Sequence, residues 1–256
     1  MFGTVIIDAY TEDEKEEIAF ALDDLCSPCD AYGWSSAGIY CFWDYYTKEV
    51  LYIGLAADLC DRFKQHNGIN KVDDNSCKYK QITEYFRKKE KIGYSIFVQS
   101  PLSQPITHRN EQQYKMMLGD KFSKENYAGK EGQSHIKQVE GILIEAFKKV
   151  NGNYPKWNRM GGSIYGQNVA TVGNYEIVKA FNDFKSNPLV SKCSLRELSE
   201  NPTYERYENH LHAIRISMLN WGMNFEKALE FHNKHDILNT YQEMITEGYF
   251  KKILNV

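Results

Sequence analysis

Two tyrosines, an arginine and a histidine stand at spacings that chemistry could use. Gly38-Ile39-Tyr40 and Tyr52-Ile53-Gly54 leave eleven residues between the tyrosines, and Arg62 and His66 follow, four residues apart. A guanidinium is permanently charged and presents a planar fork of donors suited to phosphate oxygens. Imidazole titrates near neutral pH and can pass a proton either way. A phenol with its ordinary pKa of ~10 is a poor base at neutrality unless neighbouring cations favour the phenolate. Tyr40, Tyr52 and His66 are therefore the candidates for moving a proton, and Arg62 the candidate for clamping an oxyanion.

The elements that must position these groups follow from periodicity. Residues 37–44 alternate Ile39, Cys41 and Trp43 on one face with Tyr40, Phe42 and Asp44 on the other. Residues 50–55 are a second β-prone run, and the polar stretch 45–49 breaks between them. Side chains alternate with period two, so a plain two-residue hairpin would put the two phenols on opposite faces. A three-residue loop such as Tyr46-Thr47-Lys48, or a bulge, returns both to one face. The next segment is helical, with Leu59 and Phe63 turned to the core and Arg62 and His66 sharing another face. Asp58 is placed to cap this helix, and Asn67-Gly68 to stop it.

This order of motifs resembles the GIY-YIG nucleases, a family that hydrolyses phosphodiester bonds with a divalent metal. The resemblance spans residues 37–162 and implies an α/β fold, a three-stranded antiparallel sheet flanked by helices. It implies a catalytic set of Tyr40, Tyr52, Arg62 and His66, with Tyr40 as the general base and Tyr52 and His66 in support. The family adds a glutamate on a later helix, four residues before an aliphatic position, and an asparagine beyond it. Residues 134–150 read as that helix through Ile136, Val139, Ile142, Leu143 and Phe147. Glu140 has Ile144 at the required place, whereas Glu145 has Lys149, so the resemblance assigns the metal to Glu140. Asn158, in Tyr154-Pro155-Lys156-Trp157-Asn158, matches the closing asparagine. A single carboxylate suits Mg²⁺ or Mn²⁺ that keeps several waters. The chain departs from the family at Ala56, Ala57 and Asp58, where a small polar residue, a lysine and an asparagine are frequent, which weakens phosphate contacts beside the hairpin.

The formal net charge of −3 is unusual for a protein that meets nucleic acid, but its distribution matters more than the sum. Acidic residues crowd the first 24 positions, and basic ones follow the motif. Lys64, Lys78, Lys80, Arg87, Lys88, Lys156 and Arg159 are the candidates for contacting a phosphate backbone. Six cysteines in 256 residues do not suggest a disulfide framework. Cys26 and Cys29 form one CxxC pair without a second pair at zinc spacing, which favours reduced thiols. No apolar run approaches ~18 residues, and the first residues lack the basic region of a secretory signal. A cytoplasmic protein is the expectation.

Three regions follow: a strand–helix extension over 1–36, the nuclease-like segment 37–162, and a helical region 163–256. Val5–Ala9 reads as a strand, and Thr11 with Glu14 as a capping box for a helix to Leu25. Ile92–Gln99 is the third strand of the nuclease-like segment. Residues 160–173, rich in glycine, read as a hinge or substrate-facing loop. Asn174 is placed to cap the next helix, and Ala213, Ile214, Ile216, Leu219 and Trp221 form a core stripe further on. The last region is the expected place for target recognition, a homodimer contact or a protein partner. The leading expectation is a metal-dependent DNA endonuclease of restriction, anti-phage defence or mobile-element type. The alternatives are a repair or recombination nuclease subunit that cuts branched or damaged DNA within a complex, and a non-catalytic protein with a decayed nuclease fold. Decay removes polar groups first, and all six are present.

Overall fold

The computed structural model describes residues 1–27, 35–71, 77–121, 130–185 and 187–256. Cys29 lies outside them; Cys26 is a buried thiol. Strands β1 (Phe2–Thr11), β2 (Gly38–Asp44), β3 (Val50–Ala56) and β4 (Lys91–Gln99) form one antiparallel sheet in the order β1-β4-β2-β3. The α/β class is as expected, but the sheet has four strands where three were expected. The additional strand is β1, which pairs along β4 from Phe2 opposite Gln99 to Thr11 opposite Lys91. Its sequence carries apolar residues on both faces, so it can sit inside a sheet covered on both sides.

Both sheet faces are covered. On one, Ile6, Tyr10, Phe42, Tyr94 and Ile96 pack with α1 (Lys15–Cys26), α2 (Leu59–His66) and α3 (Tyr79–Phe86). On the other, Ile7, Ile39, Trp43, Ile53 and Phe97 pack with residues that include Ile136, Leu143 and Ile144. A further helix, α4 (Glu111–Leu118), precedes α5 (Lys130–Asn151), which supplies those three residues. The alternation read in β2 thus sorts residues between two cores, since all seven are buried.

The hairpin reaches its register through a bulge. Phe42 pairs with Tyr52 but Trp43 pairs with Val50, which leaves Leu51 as the extra residue on β3. Asp44 N–H donates to the Glu49 carbonyl at 2.8 Å, and Lys48 closes the turn at φ 60°. Four residues then lie between Asp44 and Glu49, an even number that would separate the phenols. The bulge restores the parity, so Tyr40 and Tyr52 share a face.

Several local expectations change. Thr11 N–H donates to Glu14 Oε2 at 2.8 Å, but β1 continues through Thr11 and α1 starts only at Lys15, so half of the capping box forms. The segment read as a loop over 160–173 contains α6 (Ile164–Val169) and a single 3₁₀ turn (Val172–Asn174). Asn174 does not cap α7 (Tyr175–Ala180); its side-chain oxygen accepts from Thr171 N–H and Oγ1 instead. Next come α8 (Leu195–Glu200), α9 (Pro202–Trp221), α10 (Phe225–Asn233) and α11 (Thr240–Thr246). In α9 the expected apolar stripe is displaced: Ile214 is buried, but Trp221 is exposed. The buried line is Tyr207, Glu208, Leu211, His212, Ile214 and Arg215. Polar residues belong to it because Arg215, buried against Glu208 at 2.6 Å, also donates to Thr4 Oγ1 on β1 and to the Pro188 and Val190 carbonyls. Among the described residues, no helix is long and apolar enough to cross a membrane.

Candidate active site at the edge of the sheet

Glycine at both ends of the hairpin motif has a steric cause. A Cβ on Gly38 would lie 2.3 Å from the Phe97 carbonyl oxygen of β4. A Cβ on Gly54 would lie 2.6 Å from both Tyr40 Oη and a ring carbon of Tyr52. Gly54 is therefore the gap into which the two phenols converge, and their ring centroids stand 5.8 Å apart.

Helix α2 brings the other two groups to this point. Asp58 caps it by accepting from Asp61 N–H at 2.9 Å, and Leu59 and Phe63 bury its apolar side. His66 is buried with Nε2 2.7 Å from Tyr40 Oη, and Arg62 Nε donates to the same oxygen at 3.3 Å. The backbone N–H of Lys78 donates to His66 Nδ1 at 2.7 Å. Burial, with Arg62 and Lys78 nearby, lowers the imidazole pKa well below its ordinary 6.5, so His66 is neutral. A neutral imidazole that accepts at Nδ1 carries its proton on Nε2. The Tyr40 oxygen thus receives two N–H donors. Its own hydroxyl proton must then point elsewhere, and the neighbouring Tyr52 phenol, close enough to influence its pKa, lies on that side of the gap at Gly54. Burial pushes the Tyr40 phenol well above its ordinary value, while Arg62 pulls it down.

Glu140 reaches the same place from the opposite side of the sheet, around the edge of β3. Burial raises its carboxyl to about 7; Arg62 and a hydrogen bond from Leu55 N–H act against that rise. Its charge also raises the Tyr52 phenol. Gly162, at φ +70°, holds the space beside it: a Cβ there would sit 3.0 Å from Glu140 Oε2. A lone carboxylate with one side kept clear by glycine fits a hydrated Mg²⁺ or Mn²⁺ that takes its remaining ligands from waters and phosphate. Among the described residues, one other group could hold a metal: Asp58, Asp61 and His108. There Arg109 Nε already contacts Asp58 at 2.5 Å, and Arg109 also pairs with Asp23 at 2.9 Å.

Asn158 completes the edge rather than facing the phenols. Its carboxamide accepts from Ile53 N–H at 2.9 Å and donates to the Ile53 carbonyl at 2.8 Å. Trp157 N–H donates to the Leu51 carbonyl at 2.8 Å. Residues 157–158 thus act as a short mimic of a neighbouring strand, with Glu140 meeting the next outward N–H, that of Leu55.

The basic candidates divide. Lys78 Nζ lies 4.7 Å from the centre of the Tyr52 ring, and Arg62 and Arg159 are close enough to lower its pKa, although burial is the larger cause. Arg87, Lys88 and Lys156 gather around Glu84 near the other end of β3, with Lys88 paired to it at 2.7 Å. Lys80 is exposed on α3. Lys64 is apart from both groups, turned to Asp23 of α1 at 3.7 Å. Glu145 lies 3.9 Å from Lys148 and has no part in the cluster around Tyr52. Sequence reasoning missed the Lys78 backbone N–H that fixes the His66 tautomer, for which a sequence holds no signal. It also missed Gly162 as the neighbour of Glu140, although the glycine-rich run 160–173 marked that segment. No family model matches the chain, and neither the curated proteins nor the solved structures contain a significant match.

Proposed function

We propose that this protein is a metal-dependent endonuclease of GIY-YIG type that hydrolyses phosphodiester bonds in DNA. The observation that carries the reading is the convergence of Arg62 Nε and His66 Nε2 on one buried phenol oxygen, with Glu140 alongside. A buried neutral phenol is satisfied by one partner, as Tyr10 is by Asn67, whereas two N–H donors on one phenol oxygen suit a group that must become anionic. A phenolate has three lone pairs. Arg62 and His66 satisfy two, and the third is left to take a proton from an attacking water. In the resting enzyme Tyr40 is neutral, and release of its proton to solvent on entry of the divalent ion would yield the base. Arg62 stays charged and faces both the phenols and the incoming phosphate, where its fork neutralises charge that builds on the phosphoryl oxygens. Glu140 would hold the divalent ion, which when bound supplies positive charge to the phosphate and the leaving oxygen. Lys78 and Arg159 would guide the backbone into the site.

The test is incubation of the purified chain with supercoiled plasmid, linear duplex, flap and single-stranded DNA, with Mg²⁺ or Mn²⁺ and with chelator. Metal-dependent internal cleavage of at least one substrate is expected. Intact DNA in every reaction would sink the reading. Discrete fragments would indicate the sequence specificity of a restriction or mobile-element enzyme.

A further inference from the structure

The segment that passes the Glu140 carboxylate carries an apolar ridge in sequence, large side chains left in water. Met160, Ile164 and Tyr165 are 72%, 74% and 66% exposed, and Val169 is exposed on the same short helix. Consecutive Cα atoms are ~3.8 Å apart, so Met160 and Ile164 lie within roughly 8 Å of Gly162, whose Cβ position is 3.0 Å from Glu140 Oε2.

The ridge is held tightly to α5. A Cβ on Gly166 would lie 2.2 Å from the Gln138 carbonyl, and one on Gly141 would lie 2.5 Å from that of Ser163. Gln167 Nε2 donates to the Gly162 carbonyl at 2.9 Å, and Lys149 Nζ to that of Ala170 at 2.6 Å. Large apolar side chains kept in water on so constrained a backbone mark a contact surface. What they contact is indicated by charge and continuity. Arg159 adjoins Met160 in the chain, and both Arg159 and Arg62 lie near Lys78. Exposed apolar residues that follow Arg159 along one short segment beside Glu140 complement a nucleotide chain, with phosphate on the cations and a base face on the apolar side chains.

We propose that the ridge of Met160, Ile164 and Tyr165 stacks an exposed base beside the scissile phosphate, so that the site selects DNA with an unstacked nucleotide, as in a flap, branch or single strand, over continuous duplex. This rests on the nuclease reading above. In an unbroken duplex the bases next to the cut are already stacked on each other and offer the ridge no face; apolar wedges engage such DNA only by prising a step apart.

The experiment uses the full chain without divalent metal and two DNAs of one sequence, a continuous duplex and a 5′ flap with 2-aminopurine at the junction. The flap is expected to bind at least about tenfold more tightly, with its 2-aminopurine fluorescence quenched. Tyr165→Ser and Ile164→Ser should each weaken flap binding about tenfold, which is ~1.4 kcal/mol, restore the fluorescence and leave duplex affinity unchanged. Both side chains are exposed, so thermal melts should match the parent. Equal affinity for the two DNAs, or a flap preference that survives both variants, would overturn the proposal. So would a variant that converts a dimer to a monomer in sedimentation, since the ridge would then join two copies. If flap and duplex are cut in Mg²⁺ at equal rates that the variants do not alter, this inference alone falls. If neither DNA is bound or cut, the nuclease reading falls with it.

Discussion

Burial holds the Glu140 carboxyl near pH 7, whereas in an unfolded chain it ionises near 4.5. Between those values the folded state binds more protons than the unfolded state, so this residue's contribution to stability falls as pH rises. The gap corresponds to roughly 3 kcal/mol, fully lost above pH 7. Glu140→Gln mimics the protonated form at every pH. Its melting temperature should match the parent's near pH 4.5 and exceed it at pH 8, and Mg²⁺ should raise the parent's at pH 8 without raising the variant's. A difference independent of pH would mean that Glu140 ionises at the same pH in the folded and unfolded states. Arg62 is tested by Arg62→Lys, which keeps a charge but cannot bond Tyr40 while spanning a phosphate. The single-turnover cleavage rate should drop at least ~100-fold, about 3 kcal/mol of transition-state stabilisation, with little change in DNA affinity. Parent-like cleavage would make Arg62 a structural partner of Tyr40 alone.

At the scale of elements, the hairpin and the 157–162 segment carry the site. Gly54→Ala would force a methyl between two phenols that already converge there. Overpacking of this kind costs about 1–3 kcal/mol, so a lower melting temperature with a matching loss of cleavage is expected; an unaffected protein would mean that the phenols can part freely. Asn158→Ala would leave both backbone groups of Ile53 without partners, at about 1–3 kcal/mol for each that stays buried. Asn158→Asp keeps the acceptor and should lie between alanine and parent in a denaturant titration. The hairpin, α2 and its Asp58 cap were legible in sequence because each rests on local periodicity and capping. The bulge at Leu51 was legible only as a requirement, since either an odd loop or a bulge satisfies the shared face. The role of Asn158 was not legible, because it depends on an edge strand about a hundred positions away in the chain. Helix α6 was hidden by Gly166 within it and Gly162 before it, which are there for close approach to α5 rather than for a loop.

Over the whole molecule, the C-terminal helices help to close the core that residues 37–162 leave open. The outer edge of β1 is met by residues 189–191, with Val5 N–H donating to the Leu189 carbonyl and Ser191 N–H to that of Val5, both at 2.8 Å. Helix α9 locks onto β1 through Arg215, whose partner Glu208 also accepts from Tyr249 Oη at 2.7 Å and from Lys192 N–H at 2.9 Å. Glu208→Gln leaves Arg215 buried without its counter-charge, a change that costs about 3–5 kcal/mol. It should lower the stability of the whole chain in one transition, and separate transitions for the sheet and the C-terminal helices would contradict this. The place of β1 in the sheet and the buried polar line of α9 were not legible, because a helix pattern scored by apolar residues alone passes over an ion pair.

The central claim is that one carboxylate at the edge of β3 serves metal-dependent cleavage. Glu140 and Glu145 are five residues apart on α5, about 500° of helical rotation, so they point some 140° apart and cannot serve one site. The direct measurement is single-turnover cleavage in Mg²⁺ by the parent, Glu140→Gln and Glu145→Gln, with DNA affinity measured in parallel. The parent and Glu145→Gln should cut at similar rates, while Glu140→Gln should be inactive yet bind DNA at least as tightly. Cleavage by Glu140→Gln at the parent's rate, or its loss in Glu145→Gln alone, would contradict the account.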